Sequence, residues 1–169
     1  MRQLSAIMFT DIVGYTALMQ GNEVVAVKAR ARHREVFEQQ HQIYRGEIIQ
    51  YYGDGTLSVF KSAVDATECA IEIQKRMLQD EPVPLRIGLH MGDIVFDKSE
   101  VYGDGVNVAS RIQNLAVAGS IFLSEKLNEE LRNHTAITTA SLGRFELKNV
   151  SRPVEVFAVT ISGIVVPSP

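Results

Sequence analysis

A Gly53-Asp54-Gly55 turn separates two short runs, residues 47–52 and 56–60, that are rich in β-branched and aromatic side chains. Two such runs around Asp-Gly read as a β-hairpin, with Asp-Gly as a type I′ turn pair. What constrains the fold is where this hairpin falls. Before it lie an apolar run over residues 4–10, too short for anything but a buried strand, and then a helix-length segment from Asn22 to about Arg45. After it lie a second helix-length segment, opened by Ser62 with Asp65 three residues on, and strand-like runs at 85–90 and 93–96 around Gly92. The order β-α-β-β-α-β is that of a ferredoxin-like core. The fold class is therefore α+β, a mostly antiparallel sheet flanked by helices.

The remaining elements extend this core. In the first long helix, capped by Asn22, the set expected to face the core is Val24, Val25, Val36, Phe37 and Ile43, with Gly46 ending it. The second carries Val64, Ala70, Ile71, Met77 and Leu78 at helical spacing, and Pro82 and Pro84 stop it. Residues 97–105 read as a loop, followed by a helix to about Ala116. A short strand at 121–123, a helix capped by Ser124, and closing strands near 137–148 and 154–161 complete the chain as additional C-terminal elements. Residues 1–161 thus form one domain, and 162–169, ending Pro167-Ser168-Pro169, read as a linker or the start of a further region.

Composition narrows the function classes. A hydrophobic fraction of 46% in 169 residues supports a real core. The formal charge of −3 gives no basic signature for nucleic acid, and Tyr51 and Tyr52 are the only adjacent aromatics, against an RNA-binding sheet. No apolar run approaches the roughly 20 residues that span a bilayer. The lone Cys69, on a helix with no cationic neighbour, reads as a buried structural thiol in a reducing, cytoplasmic setting.

The residues with chemical potential are spread along the chain. Asp11 ends the first apolar strand, where a charge is costly unless something compensates it. Asp54 sits at the hairpin tip. Tips and strand ends become neighbours when strands pair, and two carboxylates suit Mg²⁺, which takes one or two carboxylates plus phosphate oxygens. Residues 12–16 (Ile12, Val13, Gly14, Tyr15 and Thr16) offer backbone N–H groups beside Asp11, with Gly14 permitting close approach. Asn107 and Arg111 lie four apart, on one helix face. Singly, each is a turn residue, a cap or a solvated cation, and Lys148 an ordinary surface lysine. His90 reads as a satisfied structural histidine, and His33 and His41 as surface residues of the long helix.

Together these segments resemble the class III nucleotidyl cyclase catalytic domain. The likeness is carried by FTDIVGYTAL at 9–18, IIQYYGDGTLSVF at 48–60, RIGLHMGDIV at 86–95, VYGDGVNVASRIQ at 101–113 and ELKNV at 146–150, in the family's order and spacing. The resemblance implies formation of a cyclic nucleotide from a nucleoside triphosphate, with two Mg²⁺ or Mn²⁺ per site, between the protomers of a head-to-tail homodimer. It implies Asp11 and Asp54 as metal ligands with the Ile12 carbonyl, and residues 13–16 around the terminal phosphates. It further implies Asn107 positioning the ribose, Arg111 stabilising charge at the reacting phosphate and Lys148 on the phosphates, these three from the partner protomer.

The base pocket departs from the family. The position four before Asp54 is Gln50 where adenylate-forming members carry lysine, and the position seven before Asn107 is Glu100 where they carry Asp or Thr. Neither fits the Glu/Cys pair of guanylate-forming members. Glu100 can accept from an exocyclic amine, and Gln50 can donate or accept. An arginine that some members use for phosphate after residue 93 has no clear match, Lys98 standing nearest. The expected reaction is ATP to cyclic AMP and pyrophosphate. The alternatives are a cyclase of relaxed or different base choice (GTP or a pyrimidine nucleotide) and a degenerate nucleotide-binding cyclase-homology domain. A fused regulatory or effector region is expected alongside such a domain.

Overall fold

The computed structural model describes residues 2–79, 81–98 and 100–167. The first strand, β1 (Arg2–Ile12), is longer than its apolar run. It is followed by α1 (Tyr15–Gly21) and α2 (Glu23–Ile43), then β2 (Glu47–Tyr52), β3 (Gly55–Phe60) and α3 (Ala63–Met77). Next come β4 (Leu85–Asp97), β5 (Glu100–Tyr102), α4 (Asp104–Leu115), β6 (Ile121–Ser124), α5 (Glu125–Glu130), β7 (Thr139–Phe145) and β8 (Val154–Val159).

The sheet runs β2-β3-β1-β4-β6-β8-β7, with β5 added to β4. Its first four members pair antiparallel in the ferredoxin-like order, and β4–β6 is the parallel pair that joins the C-terminal extension. The expected fold class is therefore the observed one. Strands β1 and β4 pair along their whole length, from Arg2 opposite Val95 to Ile12 opposite Leu85. That explains why the two runs expected around Gly92 are one strand: Gly92 pairs with Ser5 without a break. The expected 97–105 loop also contains β5, a short hairpin arm on β4.

Both faces of the central strands are covered. Ala6, Met8, Leu85, Ile87 and Leu89 pack with α2 and α3, while Ile7, Leu57, Val59 and Ile94 pack with Ala109 of α4. Gly88 sets the α4 contact, since a Cβ there would lie 2.4 Å from the Gln113 backbone nitrogen.

Two expectations about α2 need correction. Asn22 does cap it, its side chain accepting from the Val25 N–H at 3.3 Å. The buried face, however, is Ala26, His33, Phe37, Gln40 and His41, while Val24 and Ile43 are exposed. His33 and His41 are thus core residues. His41 Nδ1 bonds the Phe37 carbonyl oxygen at 2.7 Å and its Nε2 bonds Ser58 Oγ at 2.7 Å, so burial leaves neither nitrogen unpaired. At the helix end the left-handed residue is Arg45, at φ 62, with Gly46 needed because a Cβ would strike the His41 and Phe60 rings. The hairpin turn has positive φ at Gly53 and not at Asp54, unlike the I′ pair expected.

Ser62 caps α3 by accepting from the Asp65 N–H, and Ser124 caps α5 by accepting from the Leu127 N–H. Ile164 is buried and the Val165 N–H donates to the Gly119 carbonyl at 3.0 Å, so part of segment 162–167 packs on the domain. Residues 168 and 169 of the expected linker lie outside the described residues. No helix among the described residues is long and apolar enough to cross a membrane.

Candidate active site

Strand pairing brings the two candidate metal ligands together. Asp11 lies near the end of β1, and Asp54 at the tip of the hairpin whose β3 pairs with β1. The Ile12 N–H donates to Asp54 Oδ2 at 3.0 Å, which anchors the tip to the strand end. Gly55 allows this approach, because a Cβ there would be 2.9 Å from the Thr10 carbonyl oxygen. Asp11 and Asp54 line one open cleft of about 410 Å³, together with Tyr52 of the same hairpin and Asn107, Ser110 and Gln113 of α4.

Asp11 is not free. Arg86, its register partner on β4, donates from Nε to Oδ1 at 2.8 Å and from Nη2 to Oδ2 at 2.6 Å. This two-pronged, charge-assisted geometry is the strong form of a carboxylate–guanidinium pair. It raises the Arg86 pKa further above its already high value, against the opposing effect of burial. Sequence reasoning missed Arg86. Its signal was a lone cation inside the apolar run Leu85-Arg86-Ile87, which a half-buried strand holds only with a partner.

Of the expected phosphate turn, the Val13 N–H is already bonded to the Pro84 carbonyl at 2.7 Å. Gly14 takes φ 71 and is exposed, as is Thr16, while Tyr15 is buried with a hydroxyl lacking a hydrogen-bond partner among the described residues. The N–H groups of Gly14, Tyr15 and Thr16 are those with no backbone acceptor among the described residues.

The helix residues divide. Asn107 is exposed on the rim of the cleft that holds Asp11 and Asp54 in the same chain. Arg111 does not line it. Its Nε donates to the Lys148 carbonyl at 3.3 Å, so Arg111 and the Lys148 backbone form a separate pair. Gln50 on β2 and Glu100 on β5 are exposed, and neither lines the cleft. Gln113 does. It is 4% exposed and its Nε2 has no hydrogen-bond partner among the described residues, and nothing in the sequence singled it out.

In the cleft wall, Thr10 Oγ1 bonds Thr56 Oγ1 at 2.6 Å and His33 Nε2 at 3.3 Å. Burial first, then Arg34 and His41, hold the His33 pKa down to about 4, so it is a neutral hydrogen-bonding group at pH 7. Cys69 is fully buried and burial pushes its thiol up, as expected of a structural cysteine. His90 is 6% exposed with Nδ1 bonded to Ser124 Oγ at 2.7 Å, so the satisfied histidine expected is paired at one ring nitrogen only.

Residues 2–160 match the adenylate and guanylate cyclase catalytic domain, and the chain belongs to that family. It is 38% identical over 164 residues to putative adenylate cyclase 3 of Rhizobium meliloti, covering 92% of this chain and 28% of the relative. The chain thus spans under a third of that relative's length. Its structure resembles the adenylate/guanylate cyclase/hydrolase of Silicibacter pomeroyi with a TM-score of 0.86 at 32% identity, covering 94% and 97% of the two chains. The guanylate cyclase domain of RhGC from Catenaria anguillulae, solved with GTP, shares the fold at a TM-score of 0.82 and 21% identity, over 95% and 98% of the two chains. The chain is therefore a class III cyclase catalytic domain, and likeness to both adenylate- and guanylate-named proteins leaves the base to be argued from residues.

Proposed function

We propose that this domain converts ATP into cyclic AMP and pyrophosphate. The observation that carries the reading is the meeting of Asp11 and Asp54 on one cleft, at the ends of paired strands. The donor set fits Mg²⁺ or Mn²⁺: two carboxylates, one anchored by a backbone N–H and the other neutralised by a displaceable guanidinium. Asp11 and Asp54, with the Ile12 carbonyl, would hold two such ions. When bound they would lower the pKa of the ribose 3′-hydroxyl and neutralise phosphate charge.

The chain's own groups do the rest by position and charge. Arg86, displaced from Asp11, is left beside the cleft with its charge available to phosphate oxygens. The N–H groups of Gly14, Tyr15 and Thr16 face the terminal phosphates, and Val13 shapes the turn while its N–H serves Pro84. Asn107 orients the ribose, and Arg111 and Lys148 stabilise charge on the reacting phosphates. The separation of Arg111 and Lys148 from the cleft supports a head-to-tail homodimer, in which a second copy supplies them together with Asn107. A cytoplasmic location follows from a nucleoside triphosphate substrate, and the greater length of the relative supports a fused regulatory or effector region.

For the base, Glu100 accepts from the adenine amine and Gln50 bonds the ring edge, giving ATP preference with loose discrimination. Gln50 favours a second reading, a cyclase of relaxed base choice that also uses GTP or a pyrimidine nucleotide. Turnover of each of the four ribonucleoside triphosphates, in Mg²⁺ and then Mn²⁺, with the product identified by mass, tests both. ATP giving the highest kcat/KM supports the adenylate reading, and a better GTP, CTP or UTP substrate overturns it. No cyclic product from any nucleotide overturns the cyclase reading and leaves the degenerate nucleotide-binding domain.

A further inference from the structure

A second and larger cleft, about 670 Å³, opens on the other side of α4. This volume lies in the range of small-molecule sites. None of Asp11, Asp54, Asn107, Arg111 and Lys148 lines it. His90, more than nine-tenths buried, belongs to its wall. The state of that imidazole can be read from its neighbour. Ser124 Oγ already accepts from the Leu127 N–H at 3.2 Å, and Ser124 is 1% exposed. Its own hydroxyl proton therefore needs an acceptor, and His90 Nδ1 is 2.7 Å away. With Nδ1 accepting, Nε2 carries the ring proton. Burial, and then Lys126, hold the His90 pKa down to about 4, so the ring stays neutral and keeps this tautomer near pH 7.

Nε2 has no hydrogen-bond partner among the described residues. Gly92 leaves that edge open: a Cβ at this position would lie 2.6 Å from Nε2. A positioned N–H donor on an otherwise buried ring thus reaches the cleft. The charges around it are unequal in availability. Asp93 stands 3.9 Å from Arg2, and Asp104 and Glu125 begin α4 and α5, where helix N-termini offset negative charge. Lys126 and Arg152, also lining the cleft, have no ion-pair partner among the described residues. A donor in the wall with two spare cations at the mouth is complementary to a negatively charged hydrogen-bond acceptor.

We propose that this cleft is a binding site for a small-molecule oxyanion, a carboxylate or phosphate group seated on His90 Nε2 and clasped by Lys126 and Arg152. Its walls include the first turn of α4, the helix of Asn107 and Arg111, and residues 150–153, which follow Lys148. An occupant therefore bears on the segments that position all three candidate catalytic groups. The regulatory consequence rests on the cyclase reading, whereas the binding itself does not.

Long-range ¹H–¹⁵N NMR of the histidine rings in the full chain tests the binding without any turnover. The free protein should show His90 as the Nε2–H tautomer. Titration with inorganic phosphate, and separately with acetate, should shift Nε2 saturably, the tighter of the two identifying the ligand as phosphate ester or carboxylate. The exposed-residue double variant Lys126→Ala/Arg152→Ala should weaken the response at least about tenfold, and Asp54→Ala should leave it unchanged. An Nδ1–H tautomer, a shift that does not saturate, or a response undiminished in the double variant overturns the proposal. Loss of cyclase turnover with intact binding would count against the function and not against this site.

Discussion

Arg86 places two nitrogens on Asp11, so a divalent cation competes with a guanidinium for that carboxylate. Arg86→Gln should therefore tighten Mn²⁺ binding several-fold, on the order of 1 kcal/mol, the size of a partly exposed ion pair. Calorimetric titration of the nucleotide-free protein measures this, and unchanged affinity would remove Asp11 from the ligand set. Asp11→Asn and Asp54→Asn should each lower kcat by at least about a hundredfold, since phosphoryl transfer here relies on charge neutralisation. Near wild-type turnover at saturating metal would refute the assignment. Asp11 and Asp54 were legible because a carboxylate at a strand end and one at a hairpin tip become neighbours whenever the strands pair. His33 and His41 were not. Hydropathy counts histidine as polar, yet a neutral imidazole with both nitrogens bonded, as in His41, buries like an aromatic ring.

The core order β-α-β-β-α-β was legible, but α1 and β5 were not, and β4 was expected as two strands. Gly92 looked like a break because its neighbours are polar or charged on one side, yet pairing of β4 with β1 carries the strand through it. The short α1 escaped notice because seven residues hold too little periodicity to register. The closeness of α4 to β4 was equally invisible, since a glycine in a strand does not announce what approaches it. That approach makes a prediction. Gly88→Ala puts a methyl 2.4 Å from the Gln113 backbone nitrogen, which cannot swing aside as a side chain would. The helix must shift, at a cost of about 1–3 kcal/mol, and Asn107 and Arg111 move with it. The urea midpoint should fall and kcat should fall in parallel. Gly143→Val is no substitute control, because Gly143 sits at φ 101; Gly21→Ala, with nothing near its Cβ, should leave both unchanged. An unaltered kcat in a folded Gly88→Ala protein would show that α4 placement is not critical.

At the scale of the whole molecule, sites shared between two copies make a test by mixing. Asp54→Ala and Arg111→Ala, each inactive alone, should together recover roughly a quarter of wild-type activity when subunits exchange at random, because mixed dimers keep one whole site. No recovery despite proven exchange would assign each site to a single chain. The acid response of the fold gives the last prediction. His33 and His41 lie on α2 against the same Phe37 ring and His90 lies on β4, each with its pKa held down to about 4, burial being the largest cause in every case. Unfolded, each returns to about 6.5. Between these values the unfolded chain binds more protons than the native one, so stability is fully present above pH 6.5 and is lost as pH falls toward 4. Each histidine contributes up to roughly 3 kcal/mol to this loss, and together they rival the 5–15 kcal/mol that holds a typical domain. Urea unfolding at intervals from pH 7.5 to 4.5 should show ΔG level above pH 7 and falling steeply below 6, with close to three protons taken up near pH 5. Replacing His33 by Gln, which keeps a hydrogen bond to Thr10 within reach and does not titrate, should reduce that slope by about one proton. A ΔG that stays level from pH 7 to 5 would mean the buried imidazoles are not the neutral, proton-excluding groups that their packing requires.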